Sequence, residues 1–250
     1  MENNSTEQFG KLSIVATPIG NMGDFSPRAK ETLLVADIIV AEDTRTLRSL
    51  LPEENIKALL IRSDNITEDK ASAKVIDALA EGKHVAVITD AGTPGISDPG
   101  YLLVKRVRDA IAEDASTNEN SLQHIVIEAI PGPSALAAAI SISGIPATPF
   151  TFYGFPPVKK GRQTFFQTIA ELDHTAVLYE SPHRFMKTLE ELQESFAKAA
   201  TNAERKMFIG RELTKMFEEG KYGTLGEIIS YYEANSDKVR GEFVIIIEGK

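Results

Sequence analysis

The sequence contains no cysteine, which removes disulfides, thiolate zinc sites and a cysteine nucleophile from consideration. Histidine is scarce. The four present, His84, His124, His174 and His183, are scattered without metal-ligand spacing, so no metal is indicated. Long apolar runs are also missing: nothing approaches the roughly 18 to 20 residues that span a bilayer. The start, MENNSTEQFGK, has no apolar core of a secretory signal, and the expectation is a cytoplasmic protein. Positive charge is in deficit as well. A net charge of -9 argues against general affinity for nucleic acid, because phosphate binding is driven by lysines and arginines that displace counterions. An RNA partner must therefore be met by a local basic patch.

What is present is ordinary for a globular chain. Its 250 residues, 42% hydrophobic and 25% charged, suffice for one large or two modest domains with a sizeable core. LSIVAT (12–17) reads as a strand, and SPRAKETLLVAD (26–37) as a helix with Ser26 as N-cap and Pro27 at its first position. IIVAED, ALLIRS (58–63), HVAVITD and HIVIEAI (124–130) are further strands. Between them fall a short helix TRTLRSLL, a helix capped by Thr67 and stopped by Gly82, the helix YLLVKRVRDAIAED, and the polar turn STNENS. Strands apolar on both faces that alternate with helices predict an α/β domain, a mainly parallel sheet with helices on both sides, over residues 11–147.

GIPATPF is the linker candidate. Residues 148–250, with FTFYGF, a helix from Arg162, TAVLYES, a long helix from about Arg184 to Ala203, MFIGREL, GEIISYYEA and GEFVIIIEG, form a second, mixed α/β unit whose strand FVIII should be central.

Ligands of open parallel sheets bind outside the carboxyl ends of the strands, where TPIGN, AEDTR, DAGTPGISDPG and PGPSA all fall. TPIGNMGD has neither GxGxxG nor GK[ST], so a dinucleotide or NTP loop is disfavoured; by itself it is a tight turn or a ligand edge. DAGTPGISDPG is more informative. Asp90, Gly92, Thr93, Ser97 and Asp98 offer carbonyls, hydroxyls and carboxylates, and Pro94 and Pro99 reduce the entropy lost on ordering the loop. Such a loop suits a ligand with amine, hydroxyl and positive charge. Ser134 in PGPSALAAA reads, on spacing, as a helix cap. YESPHR, with Tyr179, Glu180, His183 and Arg184, and RELTK, with Arg211, Glu212 and Lys215, are either site clusters or internal ion pairs. PPVKKGR (156–162) is a basic loop in an acidic protein, a solvated loop or a phosphate contact.

TPIGN at 17, EDTR at 42, TDAGTPGISDPGY at 89, PGPSAL at 131, YESPHR at 179, RELTK at 211 and GEFV at 241 together resemble, in order and spacing, the bacterial 16S rRNA cytidine 2′-O-methyltransferases. This is the ribosomal RNA small subunit methyltransferase I family of the tetrapyrrole methylase superfamily, and the resemblance covers about residues 11 to 249.

It implies a two-domain fold that binds S-adenosyl-L-methionine in the cleft between the domains, a homodimer, and ribose methylation of a decoding-region cytidine of 16S rRNA within the small ribosomal subunit. Carried over by motif, Pro18, Asp90, Ala91, Gly92, Pro94, Ile96 and Ser134 lie near the cofactor, with Tyr179, Glu180, Arg211, Glu212, Leu213 and Glu242 from the second domain. In-line methyl transfer makes positioning the main task, a contribution of about 7 to 11 kcal/mol. The ribose hydroxyl must also lose a proton: Glu42, Asp43, Glu180 and Glu212 are candidate bases, with Arg184, Arg211 and Lys215 holding phosphate or the developing alkoxide. Arg45, Arg48, Lys159, Lys160, Arg162 and Arg184 are the candidate RNA contacts.

Where the family commonly has YHEHN after the third strand, this chain has IRSDNITED, keeping only Asn65. It also lacks, after Lys250, the C-terminal extension of many members. A tetrapyrrole methylase and a silent cofactor-binding module are the alternative readings.

Overall fold

The computed structural model describes residues 9–63, 68–98, 100–117, 122–199 and 205–250. Asn65, the cap Thr67, Pro99, the greater part of the STNENS turn and the far end of the predicted helix to Ala203 lie outside them. The chain divides into two compact units, Met1–Ser134 and Ala135–Lys250.

The first unit runs β1 (Lys11–Val15), α1 (Pro27–Val35), β2 (Ile38–Ala41), α2 (Thr44–Leu50), β3 (Leu59–Arg62), α3 (Glu68–Ala80), β4 (His84–Ile88), α4 (Gly100–Thr117) and β5 (Val126–Ile130). Its five strands pair in the order β3-β2-β4-β1-β5, all parallel.

Period-two alternation explains why both faces are covered. Ile39, Ala41, Ala86 and Ile88 pack with Ala29 and Leu33 of α1 and Leu47 of α2. Their neighbours Ile38, Val40, Val85 and Val87 pack on the opposite face with Val75 and Leu79 of α3 and Leu103 and Val107 of α4. Two of the predicted helix ends hold: Ser26 Oγ accepts from the Ala29 N–H at 3.0 Å, and Gly82 follows α3 at φ +79°, where the left-handed region favours glycine.

The second unit runs α5 (Ala135–Ser143), β6 (Phe150–Gly154), α6 (Arg162–Glu171), β7 (Thr175–Glu180), α7 (Pro182–Lys198), β8 (Lys206–Arg211), β9 (Glu219–Thr224), α8 (Leu225–Ala234) and β10 (Phe243–Ile247). The sheet order is β6-β7-β10-β8-β9, with β6 and β7 parallel and the other pairs antiparallel. β10 is central and every residue of it is buried, as its run of FVIII requires.

One face carries α6, α7 and α8 over Leu178, Ile209, Phe243 and Ile245, with the Phe185 ring stacked on Phe243 at 3.9 Å between centroids. The other face packs Val177, Phe208, Val244 and Ile246 against Ala139 of α5. The expected boundary lay at 147; the small-residue helix α5 falls in the second unit, its apolar side closing on the second sheet.

Candidate functional site

In the first unit three of the four strand-end loops are knitted at one edge of the parallel sheet. Thr17, just beyond β1, exchanges two backbone hydrogen bonds with Gly92, at 2.9 and 3.1 Å. Gly92 lies at φ +82°, and a Cβ there would sit 3.2 Å from Ile19 Cγ2, so the close approach of the TPIGN and DAGTPG loops requires glycine. Thr93 Oγ1 donates to the Pro133 carbonyl at 3.0 Å, which ties in the PGPS segment. The fourth loop joins through Thr46, on α2, whose hydroxyl donates to Asp90 Oδ1 at 3.0 Å.

Asp90 is exposed at the end of a strand whose last four residues are buried. Ala91 beside it is exposed, Pro18 and Pro94 are buried, and Ile96 is half-buried. Ser134 is half-buried and directly precedes α5, at the position a cap occupies.

Two hydroxyls at this edge, Thr17 Oγ1 and Thr89 Oγ1, are buried with no hydrogen-bond partner among the described residues. Sequence reasoning passed over them and over Thr46, although Thr17 and Thr89 stand where an apolar strand gives way to a loop and Thr46 lies in the first turn after an acidic cap. Asp98, in contrast, is an internal staple: its Oδ1 accepts from the N–H groups of Gly95 at 2.7 Å and Gly100 at 2.9 Å. With Ser97 at φ +67° and Gly95 at +88°, Asp98 holds the loop's shape instead of offering a free carboxylate.

The candidate bases separate by environment. Asp43 caps α2, accepting from the Arg45 N–H at 2.9 Å and from the Arg45 guanidinium, whose hydrogen bonds hold its carboxyl down to about 2. So strong an acid is a poor proton acceptor at neutral pH, and Asp43 is a cap with its own counter-ion. Glu42, half-buried between Ala41 and that cap, stands at the same sheet edge as Asp90.

The second unit corrects more of the expected roles. Glu180 is 1% exposed and its acceptor positions are occupied. Oε1 takes the Ser181 N–H at 2.8 Å and Arg184 Nη2 at 2.9 Å, and Oε2 takes the Thr188 hydroxyl at 2.7 Å. It is a buried counter-ion with no access for a substrate proton. Arg162 is likewise unavailable to a phosphate: it is 4% exposed, donating to Glu191 at 2.6 Å, Thr188 at 2.7 Å and the Pro157 carbonyl at 2.9 Å. Arg184 is committed to Glu180 and to the Pro156 carbonyl at 3.0 Å. Arg211 is 6% exposed and donates to Glu219 at 3.2 Å. Leu213 is a core residue, 6% exposed against Phe208 and Val244.

The strand register explains the shared fate of two of these charges. Glu180 lies opposite Phe243, Phe243 opposite Arg211, and Arg211 opposite Glu219, so the four form a row on the face covered by α6, α7 and α8. Burial there demands partners.

Beyond the row, Glu212, Lys215 and Glu242 do come together. Lys215 Nζ lies 2.9 Å from Glu212 Oε1 and 2.8 Å from Glu242 Oε2, while Glu212 Oε1 also accepts the Glu242 N–H at 3.0 Å. Burial pushes the Glu212 carboxyl up, but the hydrogen bonds from Lys215 and the Glu242 backbone prevail and its net shift is downward. The loop is strained: Glu212 at φ +50° and Thr214 at +69° are left-handed without being glycine. Tyr179 accepts the Leu136 N–H, in the first turn of α5, at 3.0 Å and packs edge-on against Phe152.

Among the RNA candidates, Lys159 and Lys160 are exposed on their loop, and neither ammonium has a partner among the described residues. Arg45 is exposed but already bound to Asp43, and Arg48 is exposed in the last turn of α2.

Residues 11–229 match the tetrapyrrole (corrin/porphyrin) methylases. Ribosomal RNA small subunit methyltransferase I of Xylella fastidiosa is 40% identical over 241 residues, 96% of this chain and 82% of its own. The protein of that name from Thermotoga maritima is 38% identical over 97% of this chain and 100% of its own. Among solved structures, the methyltransferase CobJ superposes with a TM-score of 0.66 at 20% identity, covering 96% of this chain and 94% of its own. Uroporphyrin-III C-methyltransferase of Thermus thermophilus does so with a TM-score of 0.58 at 18% identity, covering 96% and 94%. At these identities the structural likeness is one of fold. No helix of the described residues is long and apolar enough to cross a membrane.

Proposed function

The chain belongs to the tetrapyrrole (corrin/porphyrin) methylase family, with the ribosomal RNA small subunit methyltransferase I proteins as its relatives, and is a methyltransferase; from that premise we propose that it methylates the ribose 2′-oxygen of a decoding-region cytidine in 16S rRNA, with S-adenosyl-L-methionine as donor. The observation that carries the reading is the exposed Asp90 on a loop braced to its neighbours by the Thr17–Gly92 bridge and by Thr93 and Thr46. A rigid edge with a free-facing carboxylate, carbonyls and hydroxyls fits a sulfonium cation with an amine and a ribose. When bound, S-adenosyl-L-methionine would supply the methyl group as a good electrophile.

This chain's residues then have three tasks. The knitted loops fix the donor against the sheet edge, Pro18, Ala91, Pro94, Ile96 and Ser134 lining it. Glu42, half-buried at the same sheet edge as Asp90, takes the proton of the ribose hydroxyl, since Asp43 is too acidic and Glu180 too buried. Lys159 and Lys160, with Arg45 and Arg48, meet phosphates.

Methyl transfer from labelled S-adenosyl-L-methionine to small ribosomal subunits lacking ribose methylation, run beside free 16S rRNA and uroporphyrinogen, tests the reading. Label on a decoding-region cytidine 2′-oxygen is expected; label on uroporphyrinogen alone sinks it. Asp90→Asn should weaken donor binding by about tenfold to a hundredfold, the size of one charge-assisted hydrogen bond. Glu42→Gln should lower turnover by about a hundredfold or more with donor binding intact.

A further inference from the structure

We propose that Glu180 is a positioning residue that mounts the basic loop of residues 156–161 for capture of substrate phosphate, an inference that rests on the RNA reading of that loop. The loop opens with two consecutive prolines. Proline has no N–H, so the carbonyl is the only backbone group by which either can be held by hydrogen bonding. Both carbonyls are held: Arg184 Nη1 donates to Pro156 O at 3.0 Å, and Arg162 Nη1 donates to Pro157 O at 2.9 Å.

Glu180 reaches both guanidiniums, Arg184 directly and Arg162 at longer range beside its own partner Glu191, which binds Arg162 Nε at 2.6 Å. Glu180 Oε1 binds Arg184 Nη2 at 2.9 Å, and Oε2 lies 4.0 Å from Arg162 Nη1 and is linked to Arg162 Nη2 through the Thr188 hydroxyl, each step 2.7 Å. Phe166 lies against the Arg162 guanidinium, 4.9 Å from ring centroid to Cζ, and limits its freedom. At the other end the loop closes on Gly161, left-handed at φ +80°, with the Arg162 N–H donating to Lys159 O at 3.3 Å.

Between these anchors stand Val158, 68% exposed, and the two lysines that have no partner among the described residues. The buried charges therefore do not touch substrate; they fix where two free ammonium groups stand. Glu180 thus couples two arginines, one directly and one through Thr188, and each of them is aimed at a carbonyl of the same dipeptide.

The test is a double-mutant cycle on the full-length enzyme with small ribosomal subunits as substrate. Arg184→Lys keeps a positive charge but loses the planar fork that reaches Glu180 and Pro156 together. It should raise KM for the subunit about tenfold with kcat and donor affinity unchanged, as expected for a lost charge-assisted hydrogen bond. In a Lys159→Ala/Lys160→Ala background the same substitution should change KM by less than about twofold. Glu180→Gln should behave like Arg184→Lys.

Tryptic cleavage after Lys159 and Lys160 in the native enzyme supplies a second readout that does not depend on RNA. It should accelerate about tenfold in Arg184→Lys while cleavage elsewhere keeps its rate. An equal KM effect in both backgrounds, or unchanged cleavage at the loop, overturns the positioning role. If Lys159→Ala/Lys160→Ala alone leaves KM unchanged, the RNA reading of the loop fails and Glu180 is left positioning a loop without a part in capture.

Discussion

In the first unit β4 runs out into Thr89 and Asp90; in the second β7 ends on Glu180, and β8 on Arg211. Each stretch is an apolar strand that finishes in polar or charged residues, and the environments are opposite. Asp90 is exposed with one hydroxyl donor, and Thr17 and Thr89 bury hydroxyls with no partner among the described residues. Glu180 and Arg211 are buried and committed to partners. Polar residues at strand ends thus serve as an unsatisfied edge in one sheet and as struts in the other. What separates the two carboxylates is position along the strand: Glu180 is the last residue within β7, in a row sealed by α6, α7 and α8, whereas Asp90 lies beyond the end of β4 and is exposed.

The sharpest way to break this comparison is to remove a polar group from each sheet and watch the sign. Glu180→Ala leaves Arg184 without its carboxylate and Thr188 without its acceptor, and should destabilise the second unit by about 3 to 5 kcal/mol, the range for breaking a buried ion pair. Hydrogen exchange of β7 and β10 amides measures it unit by unit; unchanged protection would show that the network carries no stability.

Thr17→Val should do the reverse. Exchanging a buried, unpartnered hydroxyl for a methyl of the same shape should stabilise the first unit by about 1 kcal/mol, read from β1 and β4 amides. A loss of stability would mean that the hydroxyl has a partner in solution.

The smallest effect belongs to Asp43. Its folded acidity is depressed below the ordinary 3.8 by hydrogen bonds from Arg45, so the contribution is complete above 3.8 and is lost as pH falls through about 2. The group is solvated, so stability should scarcely register the change. An NMR titration of the Asp43 carboxyl should give a midpoint near 2, and Arg45→Ala should return it toward 3.8. A midpoint that ignores Arg45 would remove the case against Asp43 as a base.

Most of the parallel sheet was legible because burial on both faces leaves a mark in composition: IIVA and HVAVI admit few alternatives. β9 was not. EGKYGT pairs at the sheet edge and spends two of its six positions on glycine, so it carries no apolar alternation to read. α5 was found as a helix but placed with the first unit, since small residues say that something packs closely without saying what.

The site shows the same limit. Gly92 and Asp90 could be singled out from glycine spacing and from a carboxylate after a core strand. The fate of Glu180 and Arg162 could not, because Arg162 lies 18 residues before Glu180 in sequence and meets it at 4.0 Å and through Thr188 on α7. Motifs name residue types at loop ends; they do not reveal which face of a strand each residue takes.

The insertion of β10 between β7 and β8 has a consequence in time. The parallel sheet has all its strands once Ile130 has been made, whereas the second sheet lacks its middle strand until Ile247. At cellular elongation rates that interval is on the order of ten seconds. During it β7 and β8 have made their side chains but face a gap where Phe243 to Ile247 will lie. The first unit can therefore be folded on the nascent chain while the second waits, with the facing edges of β7 and β8 unpaired, for a strand that arrives last.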